Sequence, residues 1–327
     1  MKEIGGYLEL EQFTGQEYHS NMVKLNLGRT ALLYLLKLMK TRVLWVPSFL
    51  CDSVTGTCLQ AGYQLKYYPI DQNFLPVLDK AMDPDECLYL VNFYGQLAED
   101  LILRQKEKYG RVILDNTHAF FQKPIPGVPA LYSLRKFFGL SDGAYVFTAD
   151  LPVPSDQIPE QDISCGRMGH ILGRYEENAS AHYQTMLKNA HAFNDTEIKR
   201  MSRLTENLLH AIDYDRVRLT REENYKKLDE LLGPDNLLPR HMPDGPFTYP
   251  CYHRNGLKLR RKMAQYKIYV PTYWNNVLTN LPEDSLEYNY AANILPLPCD
   301  QRYTTEDMEH IADIFRQCTT ELENNYA

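Results

Sequence analysis

The chain has 327 residues, 44% hydrophobic and 24% charged, with a formal net charge of −7. That balance suits a globular protein of one large domain and a smaller one, and an acidic chain without a dense Lys/Arg run argues against nucleic acid as a partner. Seven cysteines, at 51, 58, 87, 165, 251, 299 and 318, form no CxxC pair, which argues against a zinc site or disulfide frame and points to a reducing compartment.

The N-terminal MKEIGGYLELEQ carries acids where a signal peptide needs an apolar stretch. From Gly28 the sequence turns helical, Thr30 to Leu38 being rich in good helix formers. The apolar stretch Ala31 to Met39 is too short to span a bilayer and contains Lys37. The expectation is a cytoplasmic protein. Val43 to Val46 reads as a buried strand stopped by Pro47. Cys51 to Ala61 reads as a helix ended by Gly62, Leu65 to Ile70 as a strand, and Cys87 to Phe93 as another, running into Tyr94-Gly95-Gln96. Ala98 to Lys108 is an amphipathic helix, and Val112-Ile113-Leu114 a strand ending at Asp115.

A second short run, Ala130 to Leu134, leads into Arg135 and Lys136. The turn-rich Gly139-Leu140-Ser141-Asp142-Gly143 precedes one more apolar run. Strands alternating with helices predict an α/β fold with a mostly parallel sheet. Ligands sit at the carboxyl ends of such strands, where Pro47, Tyr94, Asp115 and His118 fall.

Past Phe147 the texture changes. Residues 150–162 are proline-rich, 171–232 polar and helix-prone, and 233–247 rich in Pro and Gly. Thr248 to Tyr252 and Lys267 to Val270 read as strands around a helix from Leu257 to Tyr266. A last helix runs from Thr305 to Leu322 behind cap-like Thr304-Thr305-Glu306-Asp307. This pattern divides the chain into a large domain, 1–210, and a small C-terminal α/β domain, 211–327.

An acid at one strand end and a lysine shortly after another is the arrangement a pyridoxal phosphate enzyme needs. The acid keeps the pyridine nitrogen protonated and the lysine forms a Schiff base. Lys136 and Asp115 fill these roles, against the plainer readings of a surface lysine and an Asx turn. His118 is placed to contact the ring's phenolic oxygen, or is an incidental loop histidine. Leu27-Gly28-Arg29-Thr30-Ala31 opens a helix with a glycine and a hydroxyl, which suits a phosphate or an ordinary cap, and Ser133 adds a second hydroxyl. There is no GxGxxG after a strand, no GxxxxGK[ST], no HExxH and no GxSxG.

Together these residues resemble the DegT-type sugar aminotransferase family of fold-type I pyridoxal phosphate enzymes. Gly28-Arg29-Thr30-Ala31-Leu32 is similar to the family's phosphate-binding helix start. Val46-Pro47-Ser48-Phe49 resembles the strand and loop carrying the ring-stacking residue. Asn92-Phe93-Tyr94-Gly95-Gln96 is similar to the family's His-Leu-Tyr-Gly-Gln, and Leu114 to His118 resembles its Glu-Asp-Ala-Ala-Gln/His. Lys136 followed by Ser141-Asp142-Gly143-Ala144 matches the Schiff-base lysine and its Gly-Glu-Gly-Gly. Arg200-Met201-Ser202, Leu295 to Pro298 and Thr304 to Asp307 resemble later landmarks.

There are departures. The family's phosphate-binding serine stands five residues before the lysine, Ser133 only three. The stacking aromatic falls near Cys51, leaving Phe49 as a candidate. The asparagine lent across the family's dimer falls near Ile198. The resemblance implies a two-domain homodimer using pyridoxal 5′-phosphate, with Lys136 and Asp115 catalytic and Gly28, Arg29, Thr30, Phe49, Ser133 and His118 also binding the cofactor. It would move an amino group from a small-molecule donor to a keto sugar, free or nucleotide-linked. The alternative is a divergent cofactor-binding protein with a regulatory role. Lys136 argues against the family's dehydratases, in which histidine replaces it.

Overall fold

The computed structural model describes residues 4–154, 159–191, 193, 196–238 and 241–324. The first half alternates strands and helices: β1 (Val23–Leu25), α1 (Gly28–Met39), β2 (Val43–Pro47), α2 (Asp52–Gln60), β3 (Gln64–Tyr68), β4 (Cys87–Val91), α3 (Glu99–Tyr109), β5 (Val112–Asp115), β6 (Ala130–Ser133) and β7 (Ala144–Phe147). Among the described residues these strands form one seven-stranded sheet in the order β1-β7-β6-β5-β4-β2-β3. The pairs β3–β2, β2–β4, β4–β5 and β5–β6 are parallel, and β6–β7 and β7–β1 antiparallel. Every residue of β4 and β5 is buried, as expected of central strands covered on both faces. The mostly parallel α/β sheet expected from sequence is thus observed, with β1 as an addition. Three residues are too short for a strand period to register.

The strand order places the site. From β2 the chain adds β3 on one side, then crosses to add β4, β5 and β6 on the other. The direction of winding therefore switches between β2 and β4, and the crevice beyond their carboxyl ends is where such sheets bind ligands.

The second half contains α4 (Gly169–Glu176), α5 (Tyr183–His191), α6 (Arg203–Leu209), α7 (Tyr214–Leu232), β8 (Tyr249–Tyr252), α8 (Gly256–Gln265), α9 (Val277–Asn280), α10 (Leu286–Asn293), β9 (Ile294–Leu297) and α11 (Thr305–Asn324). β8 pairs antiparallel with β9. The strand expected over Lys267 to Val270 is not formed. Lys267 adopts a left-handed φ of 61° after α8, and Ile268 and Val270 bury in a small apolar cluster without joining a ladder. Its alternation was real, but side-chain burial accounts for it.

That small cluster joins Tyr225, Leu228, Leu259, Met263, Leu297 and Phe315, while the large one surrounds the main sheet and takes in Phe247, Val277 and Tyr290. Arg221 of α7 ties the second half to the sheet. Its guanidinium, buried and shifted down to about 10 by that burial, donates to the carbonyls of Pro246, Phe247 and Phe137 and to Gln301 Oε1. Phe137 directly follows Lys136, so this buried cation anchors the turn that presents the lysine. Among the described residues, no helix is long and apolar enough to cross a membrane.

Candidate active site

Lys136 ends a single 3-10 turn, Leu134–Lys136, that follows β6. Its side chain is reachable by solvent, yet the surrounding protein desolvates it and lowers its pKa. Cys51 and Asp115 oppose the shift, while the charge of Arg135 adds to it. Among the described residues the Lys136 amine has no hydrogen-bond or ion-pair partner. An unpaired amine whose pKa is lowered is a better nucleophile than an ordinary lysine.

Asp115 closes β5 on the adjacent strand and is 5% exposed. Oδ2 accepts the Tyr89 hydroxyl at 2.6 Å and Oδ1 accepts the Thr117 amide at 2.8 Å. The residue is therefore both things the sequence allowed, an Asx turn and a buried acid with a partner. Burial raises its pKa, while the bonds from Thr117 and Tyr89 and the charge of Lys136 hold it down. Tyr89 is a site residue that strand-end position alone does not reveal. A phenol inside the apolar run Cys87-Leu88-Tyr89-Leu90 was the available signal, because a buried tyrosine hydroxyl seeks a partner.

His118 is held from the turn after β4. Tyr94, at φ 56°, donates its amide to His118 Nδ1 at 3.4 Å, which leaves the proton on Nε2. A Cβ on Gly95, at φ +74°, would lie 3.2 Å from the His118 carbonyl oxygen. The imidazole stacks on Phe247 with centroids 4.4 Å apart and lies among Tyr94, Tyr273 and Trp274. Burial, then the charge of Lys136, lowers its pKa well below the ordinary value. The ring is neutral at physiological pH.

Asn92 makes this corner rigid. Its amide donates to Asn116 and Gln122 and its oxygen accepts from the Leu97 amide.

The start of α1 lies beside Ser133. No side chain caps the helix at Leu27, and its first turn holds no acid. Its amides there suit an anion. A Cβ on Gly28 would sit 3.7 Å from Ser133 Cβ and 4.0 Å from Ser133 Oγ, in the gap between helix and turn. Arg29 follows, close enough to act on the charge of Arg135.

Two candidates are placed differently from expectation. Thr30 is fully buried and its hydroxyl donates back to Asn26 Oδ1 and the Leu27 carbonyl, so it braces the helix start and presents no donor to the gap. Phe49 is fully buried against Phe93 and Trp274 and has no face left for a cofactor ring. Cys51, the N-cap of α2, is the nearby residue that acts on Lys136. Two surface pockets of about 320 and 350 Å³, one along Tyr225 to Glu230 and one near Leu38 and Arg111, are lined by none of these residues.

No family model and no curated protein matches the sequence. Solved structures do match. A DegT DnrJ EryC1 StrS aminotransferase from Brucella abortus aligns with a TM-score of 0.63 at 15% identity, over 90% of this chain and 85% of that one. DesV of S. venezuelae, solved in complex with a ketimine intermediate, aligns at 0.61 and 18% identity over 90% and 84%. DesI, solved in the presence of its TDP-sugar product, aligns at 0.62 and 14% identity over 93% and 83%. With a mostly parallel sheet and a lysine and an acid at adjacent strand ends, the chain has the fold of the DegT-type aminotransferases.

Proposed function

We propose that this protein is an aminotransferase of the DegT type. It would use pyridoxal 5′-phosphate to pass an amino group from a small-molecule donor to a keto sugar, nucleotide-linked as in the DesI complex. The observation that carries the reading is the unpaired Lys136 amine, its pKa lowered by burial, beside the buried acid Asp115 at the carboxyl ends of a mostly parallel sheet.

The residues present suit the cofactor. The Asp115 oxygens accept from Tyr89 and Thr117, and an ionised carboxylate has room for more. The gap between Gly28 and Ser133 is one that a Cβ would fill. Asp115 would take the ring nitrogen, His118 the ring's oxygen side, and Gly28, Arg29 and Ser133 the phosphate end. Bound there, the cofactor supplies an aldehyde carbon on an electron-withdrawing ring, which carries the amino group between donor and acceptor.

The chain's own groups do the rest. Lys136 is the nucleophile and holds at Nζ the proton to be moved, work that a lowered amine pKa favours. Asp115 keeps negative charge at the foot of the site, oriented by Tyr89 and Thr117. His118, neutral and fixed by the Tyr94 amide, adds no positive charge next to Lys136. The aromatic walls Tyr94, Phe247 and Tyr273 exclude water from that side.

The same reading includes a homodimer, with a large domain near 1–210 and a small one near 211–327, in the cytoplasm. Seven free cysteines suit a reducing compartment.

The test is spectroscopic. The purified protein given pyridoxal 5′-phosphate should gain a visible absorption band that changes on adding glutamate or another amino donor. Lys136→Ala and Lys136→Arg should lack both the band and amino transfer to keto sugars. Transfer retained in either variant would sink the proposal.

A further inference from the structure

We propose that Arg135 is the principal cationic ligand for the phosphate of the cofactor, completing an anion site between Lys136 and the start of α1. The inference rests on the cofactor reading above and concerns which side chain supplies the charge.

The charges of two further guanidiniums, Arg29 and Arg167, act on Arg135. Arg29 is the second residue of α1, Arg135 immediately precedes Lys136, and Arg167 lies just before α4. Arg135 and Arg167 share one aromatic ring, their guanidinium carbons 4.9 and 4.6 Å from the centroid of Phe193. Arg167 is neutralised, since it donates to Asp162 Oδ2 at 2.6 Å. Arg135 is not. Its described contact is the face of Phe193, and no carboxylate or carbonyl among the described residues accepts from it.

Asp142 is the acid that acts on the Arg135 charge, but among the described residues it makes no hydrogen bond or ion pair with Arg135 and is bonded by other groups. Oδ2 accepts the Ser202 amide, and Oδ1 accepts the hydroxyls of Ser202 and Thr205.

A guanidinium carries five donors. Leaving them unfilled in a mostly buried position is costly, and a second cation nearby adds to the cost. Burial, then the charges of Arg29 and Arg167, work against Arg135 in the same direction, and Asp142 opposes them only in part. An anion held against Arg135 relieves both penalties.

Position identifies the anion. Ser133, two residues earlier, faces the gap at Gly28 across the uncapped start of α1. Arg135 is also near enough to Lys136 to lower its pKa. A group anchored here therefore lies within the reach of one small molecule from the nucleophile. The planar fork of arginine matches phosphate oxygens in pairs, so a phosphate monoester is the ligand this corner fits.

The experiment compares two ligands that differ only in the phosphate. Full-length apoprotein, as wild type, Arg135→Ala and Arg135→Lys, is titrated with pyridoxal 5′-phosphate and, separately, with pyridoxal. Arg135→Ala should weaken pyridoxal 5′-phosphate by roughly 10- to 100-fold, the range of a lost charge-assisted bond, with Arg135→Lys in between. Pyridoxal should bind all three alike. Phosphorus NMR gives a second readout. The bound phosphate resonance should be insensitive to pH near 6 in the wild type and titrate in Arg135→Ala.

Unchanged pyridoxal 5′-phosphate affinity in Arg135→Ala overturns the inference and leaves the aminotransferase reading standing. So does an equal loss for both ligands, which marks Arg135 as a packing residue. A raised KM for the amino donor at unchanged cofactor affinity overturns it too, by assigning Arg135 to the donor's carboxylate. Wild type that binds neither ligand overturns this inference and the cofactor reading together.

Discussion

Tyr89 donates its hydroxyl to Asp115 Oδ2 across 2.6 Å, from β4 to the neighbouring β5. Tyr89 pairs with Ile113, so Asp115 lies two residues further on the same face of the sheet. Together with the bonds from Thr117, that diagonal holds the acid against the cost of burial. Burial raises the pKa of Asp115, so between its ordinary value and the raised one the folded protein binds more protons than the unfolded one. The group's contribution to stability falls as pH rises through that window.

Asp115→Asn removes the buried charge and keeps an acceptor for the Thr117 amide. Its apoprotein should melt no lower than wild type at neutral pH, with any gain vanishing toward pH 3, while amino transfer falls by about 100-fold or more. Tyr89→Phe keeps the acid but raises its pKa further. The acidic limb of the rate profile should move to higher pH, and an unmoved limb would show that Tyr89 does not hold the anion.

Much of this site was legible because its parts are local. Asp115 ends an apolar run, Lys136 follows another, and both needed only a strand-end reading to be noticed. What the sequence withheld depends on contacts between distant segments. Thr30 looked like a phosphate hydroxyl, but Asn26 and Leu27 take its proton. Phe49 looked available, but Trp274, more than two hundred residues later, closes over it. Tyr89 joined the site only once β4 and β5 were neighbours. The Lys267 to Val270 run failed as a strand because Lys267 turns left-handed after α8 and the burial of Ile268 and Val270, not a ladder, accounts for its alternation.

Gly143 is the backbone position on which the lysine turn depends. It has φ +122°, and a Cβ there would meet Leu134 Cδ1 at 2.8 Å and Thr205 Cγ2 at 3.2 Å. Its carbonyl accepts the Leu134 amide, and its amide donates to the Asn26 carbonyl. Gly143→Ala should therefore combine strain with a clash, costing about 1–3 kcal/mol from the backbone conformation alone. Gly110 gives the control. It has φ +70° with nothing within 4 Å of a built Cβ, so Gly110→Ala carries strain only. Thermal melts should rank wild type above Gly110→Ala and both above Gly143→Ala, and only Gly143→Ala should lose bound cofactor on dialysis. Equal melting of the two variants would remove the clash from the account.

His19 sets a pH limit on the fold that lies outside the site. Its ring is 3% exposed, packs against Phe120 and Tyr132, and donates from Nε2 to the Phe120 carbonyl at 2.6 Å. Burial lowers its pKa from 6.5 to about 4, partly offset by that hydrogen bond. Between those values the unfolded chain binds the proton and the folded one does not, so stability falls as pH drops from 6.5 toward 4. The full shift corresponds to on the order of 3 kcal/mol. His118, its pKa also lowered by burial, adds to the slope in every variant that keeps it. His19→Gln can donate the same bond without titrating. Chemical denaturation at pH 7 and pH 4.5 should show a smaller loss of stability for His19→Gln than for wild type. An equal loss would mean that His19 is already protonated in the folded protein, with its ring turned away from the Phe120 carbonyl.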